Sequence, residues 1–365
     1  MLPPVLAAAR TPKPSRILVA DDSTFMRRLL AQALRDAGFD VVGEAADGDE
    51  ALALYRALRP DAMTLDLAMP GMDGIGVLRA LRGERSSLPV VVVSAFSPAH
   101  GARAVDALAE GAFDLVAKPA FGEPLDQFVG ALREKVSAAA AAAAPAAPAP
   151  APVRRSRITP AGSGPAVTAL RARRAPAGAK KVVLIATSTG GPRALAELIP
   201  QLPSPLGAGG MIVQHMPAGF TASLAQRLDR SSKLKVVEAA GGEALAPDTL
   251  LLAPGGSHLR LAPGGIARLT DEAAVGGLRP RADLTIADAA ALYGDRLVLV
   301  VMTGMGKDGL EGARAVRARG GRIIAEAESS CTVYGMPRAI VEADLADVVA
   351  PLGELAEAIA AETGA

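Results

Sequence analysis

The chain has 365 residues, a formal net charge of +1 and one cysteine, Cys331. This length suits two domains of ordinary size, and the charge gives no overall attraction to nucleic acid or anionic lipid. A single cysteine excludes a disulfide framework and a multi-cysteine zinc site, and it fits a reducing compartment. Residues 1–16 lack an export leader, and no apolar run approaches the roughly 20 residues that cross a bilayer, so we expect a cytoplasmic protein with no membrane insertion.

The N-terminal part of the sequence alternates short apolar runs with longer amphipathic ones, after a flexible tail at residues 1–14. The first apolar run precedes a helical pattern that ends at Gly38, and the runs lie at residues 17–20, 62–67, 90–93 and 115–117. Alternating strands and helices favour a parallel sheet covered by helices on both faces. We therefore predict a doubly wound α/β domain over residues 15–136.

Residues 137–179 form a low-complexity segment of alanine and proline that becomes rich in arginine. It has almost no large apolar side chains to offset the entropy of ordering it, so we interpret it as an extended, solvated linker, with the alanine run prolonging the preceding helix. Contact of its arginines with an acidic partner or with nucleic acid is the alternative interpretation.

The strand and helix alternation resumes at residue 180. Further strand-like runs lie at residues 182–186, 211–215, 250–253 and 297–303, each followed by a turn with glycine or proline. This pattern predicts a second doubly wound α/β domain over residues 180–365. The two halves show no internal repeat, so we expect different folds of one class.

Polar residues follow the strands of the first predicted domain. Three carboxylates (Asp21, Asp22 and Asp66), the Ser94 hydroxyl and the Lys118 ammonium all stand at the ends of apolar runs. Because ligands of an open parallel sheet bind at the carboxyl ends of its strands, we expect these groups to cluster. A cation must neutralise three neighbouring carboxylates, and an all-oxygen set suits Mg²⁺. Asp66 can then act as a nucleophile toward a phosphoryl group.

The segments that carry these residues resemble a response-regulator receiver domain. They are Val-Ala-Asp-Asp-Ser at 19–23, Thr-Leu-Asp-Leu-Ala-Met-Pro-Gly-Met-Asp-Gly at 64–74, Val-Ser-Ala at 93–95 and Ala-Lys-Pro at 117–119. The resemblance implies a flavodoxin-like fold, with Asp66 as phosphoacceptor, Mg²⁺ held by Asp21, Asp22 and Asp66, and Ser94 and Lys118 in contact with the phosphoryl oxygens. It also implies a chemotaxis-type histidine kinase as phosphodonor.

One residue departs from the receiver pattern. Leu115 lies three residues before Lys118, where many receivers have an aromatic switch residue. Signal transmission from the phosphorylation site is therefore expected to differ from the usual pattern or to be weaker.

The second predicted domain also places polar residues at strand ends. Ser188 follows the first strand and precedes a Gly-Gly turn that matches neither dinucleotide nor P-loop motifs. A serine nucleophile needs a base, and His215 ends the next strand, whereas His258 is interpreted as a structural or substrate-side residue. Asp308, again after a strand, is the carboxylate expected to orient the imidazole. Cys331 is a rival nucleophile, interpreted as a small buried thiol.

These segments are similar to the catalytic domain of the chemotaxis protein-glutamate methylesterases. The matching motifs are Thr-Ser-Thr-Gly-Gly-Pro at 187–192, Gln-His-Met-Pro at 214–217, Ala-Pro-Gly-Gly-Ser-His-Leu at 253–259, Thr-Gly-Met-Gly-Lys-Asp-Gly at 303–309 and Tyr-Gly-Met-Pro at 334–337. The resemblance implies a Rossmann-like parallel-sheet domain with Ser188 as nucleophile, His215 as general base and acid, and Asp308 as orienting carboxylate. Thr189 and the backbone amide of Met305 are implied to position the base or stabilise the oxyanion.

The two resemblances together imply an enzyme controlled by phosphorylation. It would hydrolyse glutamate methyl esters on methyl-accepting chemoreceptors and deamidate receptor glutamines, with Mg²⁺ serving the receiver and no cofactor serving the esterase. A phosphorylation-controlled adaptor without catalysis and a methylesterase of another chemosensory pathway remain open alternatives. A DNA-binding regulator needs a basic recognition helix after the linker, and the sequence has none, so no nucleic-acid partner is expected.

Residues 278–285 resemble a family segment near the active site, but Arg281, Ala282 and Thr285 are atypical. Recognition of the substrate helix is expected to differ there. We further expect the unphosphorylated receiver to pack over the crevice that holds Ser188 and to open it when Asp66 is phosphorylated.

Overall fold

The computed structural model describes residues 13–95, 98–119, 125–143 and 180–364. Residues 1–12 of the predicted tail and 144–179 of the predicted linker lie outside this description. Of the helices in the described ranges, none has the length and apolar character that a bilayer-spanning segment needs.

The N-terminal region is a five-stranded parallel sheet flanked by helices. The strand order is β2-β1-β3-β4-β5. The strands are β1 (Arg16–Ala20), β2 (Asp40–Ala45), β3 (Ala62–Leu65), β4 (Val90–Ser94) and β5 (Asp114–Ala117). The helices are α1 (Thr24–Asp36), α2 (Gly48–Leu58), α3 (Gly74–Gly83), α4 (Pro98–Ala109) and α5 (Leu125–Ala143). The order of strands reverses between β1 and β3, which makes the ends of these strands the expected ligand site.

Local sequence explains where these elements begin and end. The side chains of Ser23, Asp47 and Asp73 accept backbone hydrogen bonds and cap α1, α2 and α3. Helix α5 continues to Ala143, and Ala139 and Ala140 are buried in the same apolar cluster as the strands. The first seven residues of the predicted linker are therefore helical and continue α5 of the N-terminal region.

The C-terminal region is a second parallel sheet, with strand order β14-β13-β12-β6-β7-β9-β8 in the described residues. Its strands are β6 (Val182–Thr187), β7 (Gly210–Gln214), β8 (Lys235–Glu238), β9 (Thr249–Leu252), β12 (Leu297–Val301), β13 (Arg322–Glu326) and β14 (Val348–Ala350). An antiparallel hairpin of β10 (His258–Ala262) and β11 (Ile266–Thr270) lies outside this sheet. The helices are α6 (Gly191–Leu198), α7 (Thr221–Ser231), α8 (Ala282–Tyr293), α9 (Leu310–Ala318), α10 (Met336–Glu342) and α11 (Leu352–Thr363).

This topology confirms the prediction of two doubly wound α/β regions. In the second sheet the chain enters at the central strand β6, builds one side through β7, β9 and β8, and then builds the other side from β12. The order therefore reverses between β6 and β12, the two strands that precede Ser188 and Asp308. The hairpin of β10 and β11 was not predicted, because its strands are short and only half-buried.

The two regions pack against each other through α4 of the receiver. This helix contacts α6 and α7, and its buried Val105 and Leu108 share one apolar cluster with Phe220 and Leu224. Gly101 lies on this interface, where a Cβ atom would stand 2.7 Å from the Gly219 carbonyl oxygen. The close approach of the backbones requires glycine at that position.

Candidate functional site

The structure brings the predicted receiver residues together at the carboxyl edge of the first sheet. Asp21 and Asp22 follow β1, Asp66 follows β3, Ser94 ends β4 and Lys118 follows β5. The Lys118 Nζ atom lies 2.7 Å from Asp21 Oδ2 and 2.8 Å from Asp66 Oδ2. One carboxylate oxygen from each of the three acids lies within 4.8 Å of the others.

The charges at this edge are only partly balanced. Burial raises the pKa of Asp21, against the hydrogen bond from Lys118. Burial works against the charged form of Lys118 as well, but the bonds to Asp21 and Asp66 outweigh it and raise its pKa. Within the described residues, the buried Ser94 hydroxyl has no hydrogen-bond partner. This edge of the sheet therefore offers a hydroxyl that can still form a hydrogen bond, one fixed ammonium and more carboxylates than that ammonium can neutralise. Such a set suits a bound cation together with a phosphoryl group.

The predicted hydrolytic residues meet at the carboxyl edge of the second sheet. Ser188 follows β6, His215 follows β7, and Asp308 lies in the loop between β12 and α9. These three strands are neighbours, in the order β12-β6-β7. The His215 Nε2 atom lies 2.7 Å from Asp308 Oδ2. Ser188, Thr189, His215 and Met305 line one cavity of about 480 Å³.

Asp308 is held by more than the histidine. Its Oδ2 atom accepts from the Ala282 backbone N–H at 2.7 Å, and Oδ1 accepts from the Asp283 N–H at 3.0 Å, so the carboxylate caps the N-terminus of α8. Burial works against its charged form, but the bonds from His215 and these backbone amides hold the pKa of Asp308 well below its usual value. A fixed, ionised carboxylate of this kind can orient the imidazole and stabilise its cation.

Two buried polar residues that the sequence did not single out fix the turn around Ser188. The Gln214 Nε2 group donates to the carbonyls of Ser188 and His215, both at 2.9 Å. The Glu326 Oε2 atom accepts from the Thr303 N–H at 2.8 Å, and the Thr303 carbonyl accepts from the Ser188 N–H at 3.0 Å. The sequence does carry a signal for both residues, because each is a polar residue at the end of an apolar strand. Gln214 ends β7 and Glu326 ends β13.

The loop that contains Met305 approaches Ser188 closely. A Cβ atom at Gly304 would stand 2.8 Å from Ser188 Cβ, so this position requires glycine. The carbonyl of Gly304 accepts from the Met336 N–H at 2.8 Å, which ties the loop to the Tyr-Gly-Met-Pro segment. The glycines of this loop therefore allow its backbone to pack closely against Ser188.

The N-terminal region closes one side of the cavity beside Ser188. The Thr189 hydroxyl, next to Ser188 in sequence, donates to Asp114 Oδ2 of the receiver at 2.6 Å. Gln127, Phe128 and Glu134 of the receiver helix α5 line the same cavity. Leu115, the departure from the receiver pattern, is buried and also lines it. The residue beside the predicted nucleophile is thus bonded to the other domain.

The rival residues occupy structural positions. His258 is buried, its Nδ1 atom accepts from the Arg281 N–H at 3.1 Å, and its Nε2 atom faces the Ala273 carbonyl at 3.3 Å. Cys331 is half-buried, so the prediction of a fully buried thiol was wrong, but this partial burial raises the pKa of the thiol and disfavours the nucleophilic thiolate. Of the atypical residues, Thr285 donates its hydroxyl to the Leu259 carbonyl at 2.6 Å and so joins α8 to the hairpin.

Both regions of the chain match known protein families. The CheB methylesterase family model matches residues 183–359, and the response regulator receiver domain model matches residues 17–129. The chain is 42% identical to a protein-glutamate methylesterase/protein-glutamine glutaminase of Symbiobacterium thermophilum, over 97% of this chain and 99% of that protein. It is 44% identical to protein-glutamate methylesterase/protein-glutamine glutaminase 5 of Myxococcus xanthus, over 93% and 95%.

A crystal structure of the Thermotoga maritima CheB methylesterase catalytic domain is 43% identical and has a TM-score of 0.48, covering 49% of this chain and 97% of that chain. The relatives from Symbiobacterium thermophilum and Myxococcus xanthus are matched over nearly their whole length, across both regions of the fold. The chain therefore belongs to the CheB methylesterase family and carries a response-regulator receiver domain at its N-terminus.

Proposed function

We propose that this chain is a phosphorylation-activated protein-glutamate methylesterase that also deamidates protein glutamines. The observation that carries the proposal is the hydrogen bond of 2.7 Å between His215 Nε2 and Asp308 Oδ2, beside Ser188 on the cavity wall. This bond leaves His215 Nδ1 as the nitrogen that can take a proton from a serine. The three side chains then have the roles of nucleophile, base and orienting carboxylate.

In the acylation step, Ser188 Oγ attacks the carbonyl carbon of the γ-glutamyl methyl ester while His215 Nδ1 takes the hydroxyl proton. The negative charge that develops on the carbonyl oxygen is stabilised by backbone donors, of which the Met305 amide is the candidate on the cavity wall. Asp308 stabilises the imidazolium that forms. The tetrahedral intermediate collapses, His215 returns the proton to the leaving oxygen, and methanol departs.

In the deacylation step, water attacks the acyl carbon of the Ser188 ester. His215 takes a proton from this water and then gives it back to Ser188 Oγ as the acyl bond breaks. The product is a free glutamate carboxylate on the protein substrate. With a glutamine substrate the same sequence releases ammonia in place of methanol.

The substrates proposed are glutamate methyl esters and glutamines on the cytoplasmic helices of methyl-accepting chemoreceptors. This assignment rests on family membership and on the activities for which the relatives are named. A substrate on the cytoplasmic side implies that the protein acts in the cytoplasm. The residues of the 275–280 segment that line the cavity, including Arg279 and Pro280, are placed to contact such a helix.

The receiver acts as the switch. Asp66 accepts the phosphoryl group from a histidine kinase, Ser94 and Lys118 contact the phosphoryl oxygens, and Asp21, Asp22 and Asp66 hold Mg²⁺. The three clustered carboxylates and the unpartnered Ser94 hydroxyl fit this role. The cation neutralises the carboxylates and the phosphoryl oxygens when bound. Phosphorylation favours a packing in which the receiver no longer holds Thr189 and the cavity opens to the substrate.

The test is methanol release from methylated receptor membranes, measured with and without acetyl phosphate and Mg²⁺. The wild-type chain should release methanol faster with the phosphodonor. Ser188→Ala should abolish the release, whereas Ser231→Ala, at the exposed end of α7, should not change it. If Ser188→Ala retains the wild-type rate, the chain acts as an adaptor and the enzymatic proposal is wrong.

A further inference from the structure

Two carboxylates lie side by side behind His215, the buried Asp308 and the half-buried Asp283. Asp308 caps α8 through the N–H groups of Ala282 and Asp283. Asp283 caps α9 in return, because its Oδ1 atom accepts from the Gly309 N–H at 2.9 Å and from the Gly312 N–H at 2.8 Å. The reciprocal caps force the two side chains together, with side-chain exposures of only 13% for Asp283 and 2% for Asp308.

Neighbouring carboxylates repel each other when both are ionised. Burial raises the pKa of Asp283, and the charge of Asp308 raises it further. The helix N-termini offset part of this repulsion through their backbone N–H groups. An imidazole is a counter-ion only in its protonated form, whereas a guanidinium is always charged, so an arginine is the permanent counter-ion of the two.

Arg281 supplies the permanent positive charge. Its NH2 atom donates to Asp283 Oδ2 at 2.9 Å, and its Nε atom lies 3.2 Å from Asp308 Oδ1. The guanidinium therefore bridges the two carboxylates on the side away from His215, whose bond is to Asp308 Oδ2. The side chain is only 20% exposed, so the pairing is screened less than it would be at an exposed site.

The position of Arg281 is itself fixed from three sides. Its backbone N–H donates to His258 Nδ1 at 3.1 Å, and its NH1 atom donates to the Val275 carbonyl at 3.1 Å. A Cβ atom at Gly276 would stand 2.8 Å from NH1, and Gly276 has a φ of +62°. The loop thus wraps the guanidinium and joins the cavity wall at 277–280 to the carboxylate pair.

We propose that Arg281 is a positioning residue for ester hydrolysis, because it is the shared counter-charge of Asp283 and Asp308 and so keeps Asp308 directed at His215. The proposal rests on the proposed function of Ser188, His215 and Asp308. Without the guanidinium, Asp283 and Asp308 either separate or share a proton. Both outcomes weaken the hold of Asp308 on the imidazole.

The experiment uses the full chain, phosphorylated with acetyl phosphate and Mg²⁺ and assayed by methanol release from methylated receptor membranes. Arg281→Ala should lower kcat about 10-fold, and Arg281→Lys should recover part of the loss. The double variant Arg281→Ala/Asp283→Asn removes the repulsion together with the counter-charge. Its kcat should rise about 5-fold or more above that of Arg281→Ala, since the asparagine Oδ1 atom can still cap α9.

A second readout does not depend on turnover. The chain has three histidines, so ¹⁵N labelling of histidine allows the His215 Nε2 proton in the bond to Asp308 to be followed by NMR. Its downfield resonance should be lost or shifted upfield in Arg281→Ala and restored in the double variant. Thermal unfolding of each variant checks that the fold is retained.

The outcomes separate the two proposals. Wild-type kcat and an unchanged resonance in Arg281→Ala would overturn the role of Arg281. If the kcat of the double variant Arg281→Ala/Asp283→Asn stays as low as that of Arg281→Ala, the role of Arg281 is also overturned, because the arginine would then only hold the loop. Full activity of Ser188→Ala would instead overturn the proposed function, and the NMR comparison would still decide the role of Arg281.

Discussion

The Thr189 hydroxyl donates a hydrogen bond of 2.6 Å to the carboxylate of Asp114, so the residue after Ser188 is bonded to the receiver. Asp114 is a residue of β5, four positions before Lys118 at the proposed phosphorylation site. Its other oxygen accepts from Lys135 of α5 at 2.7 Å. One short strand therefore connects the proposed phosphorylation site to the cavity beside Ser188.

The first prediction concerns this bond. Asp114→Ala removes the acceptor of the Thr189 hydroxyl and should raise methanol release by the unphosphorylated chain about fivefold, since a hydrogen bond to a charged group stabilises the closed packing. The rate with acetyl phosphate should stay near that of the wild type. The ratio of the two rates is the measurement.

The matched control for this prediction is Asp106→Ala. Asp106 also bonds across the interface, to Arg227 at 2.7 Å, but its side chain is 56% exposed. An exposed ion pair contributes little, so the basal rate should barely change. Equal basal rates for Asp114→Ala and the wild type, in a folded protein, would contradict the proposed hold on Thr189.

The sequence predicted the meeting of Ser188, His215 and Asp308 for a simple reason. Each residue follows an apolar run, and the carboxyl ends of parallel strands share one edge of the sheet. The same reasoning assembled Asp66 with Ser94 and Lys118. The sequence did not predict which strands are neighbours, yet the cluster did not depend on that order.

Long-range polar contacts were beyond prediction. The bonds from Asp114 to Thr189 and from Glu326 to Thr303 depend on how separate elements pack, and no periodic pattern encodes their partners. Arg281 was recognised as atypical, but the sequence could not place it between Asp283 and Asp308. The hairpin that begins at His258 was missed, because short and half-buried strands give only a weak alternation of apolar and polar residues.

The second prediction concerns the receiver. Asp66→Asn should abolish phosphate incorporation from acetyl phosphate and the associated rise in methanol release, because the amide is not the required nucleophile. Asp61→Asn, an exposed neighbour in sequence, should leave both unchanged. Chelation of Mg²⁺ should block phosphate incorporation in the wild type while the basal rate of ester hydrolysis persists. Loss of the basal rate on chelation would contradict a metal-free esterase.

The third prediction concerns Asp308. Asp308→Asn should lower kcat about 10³-fold or more with a smaller effect on KM. Both carboxylate oxygens accept backbone N–H bonds, so either orientation of an asparagine sets its NH₂ group against a backbone donor. Steady-state kinetics of the phosphorylated chain give the two constants. Asp248→Asn on the exposed surface is the control, and a similar kcat for the two variants would exclude the orienting role.

The fourth prediction contrasts two changes at Glu326. Its Oε2 atom accepts from the Thr303 N–H, and its Oε1 atom accepts from the Ser330 hydroxyl at 2.9 Å. Glu326→Ala leaves the Thr303 donor buried without an acceptor, which costs about 1–3 kcal/mol and loosens the turn that holds Ser188. Methanol release should fall about 10-fold or more, whereas Glu326→Gln keeps an acceptor oxygen and should stay within about twofold of the wild type.

The pH dependence of stability distinguishes the same two variants. Burial raises the pKa of Glu326, so its ionisation opposes folding, and its contribution to the unfolding free energy falls as pH rises above the ordinary glutamate pKa of about 4.3. Glu326→Gln cannot ionise and should lack this decline between about pH 5 and pH 8. Urea unfolding across that range measures the difference. If the unfolding free energies of the glutamine variant and the wild type follow parallel pH profiles, Glu326 is equally ionised in the folded and the unfolded protein. The buried carboxyl would then act on Ser188 only through its bond to Thr303.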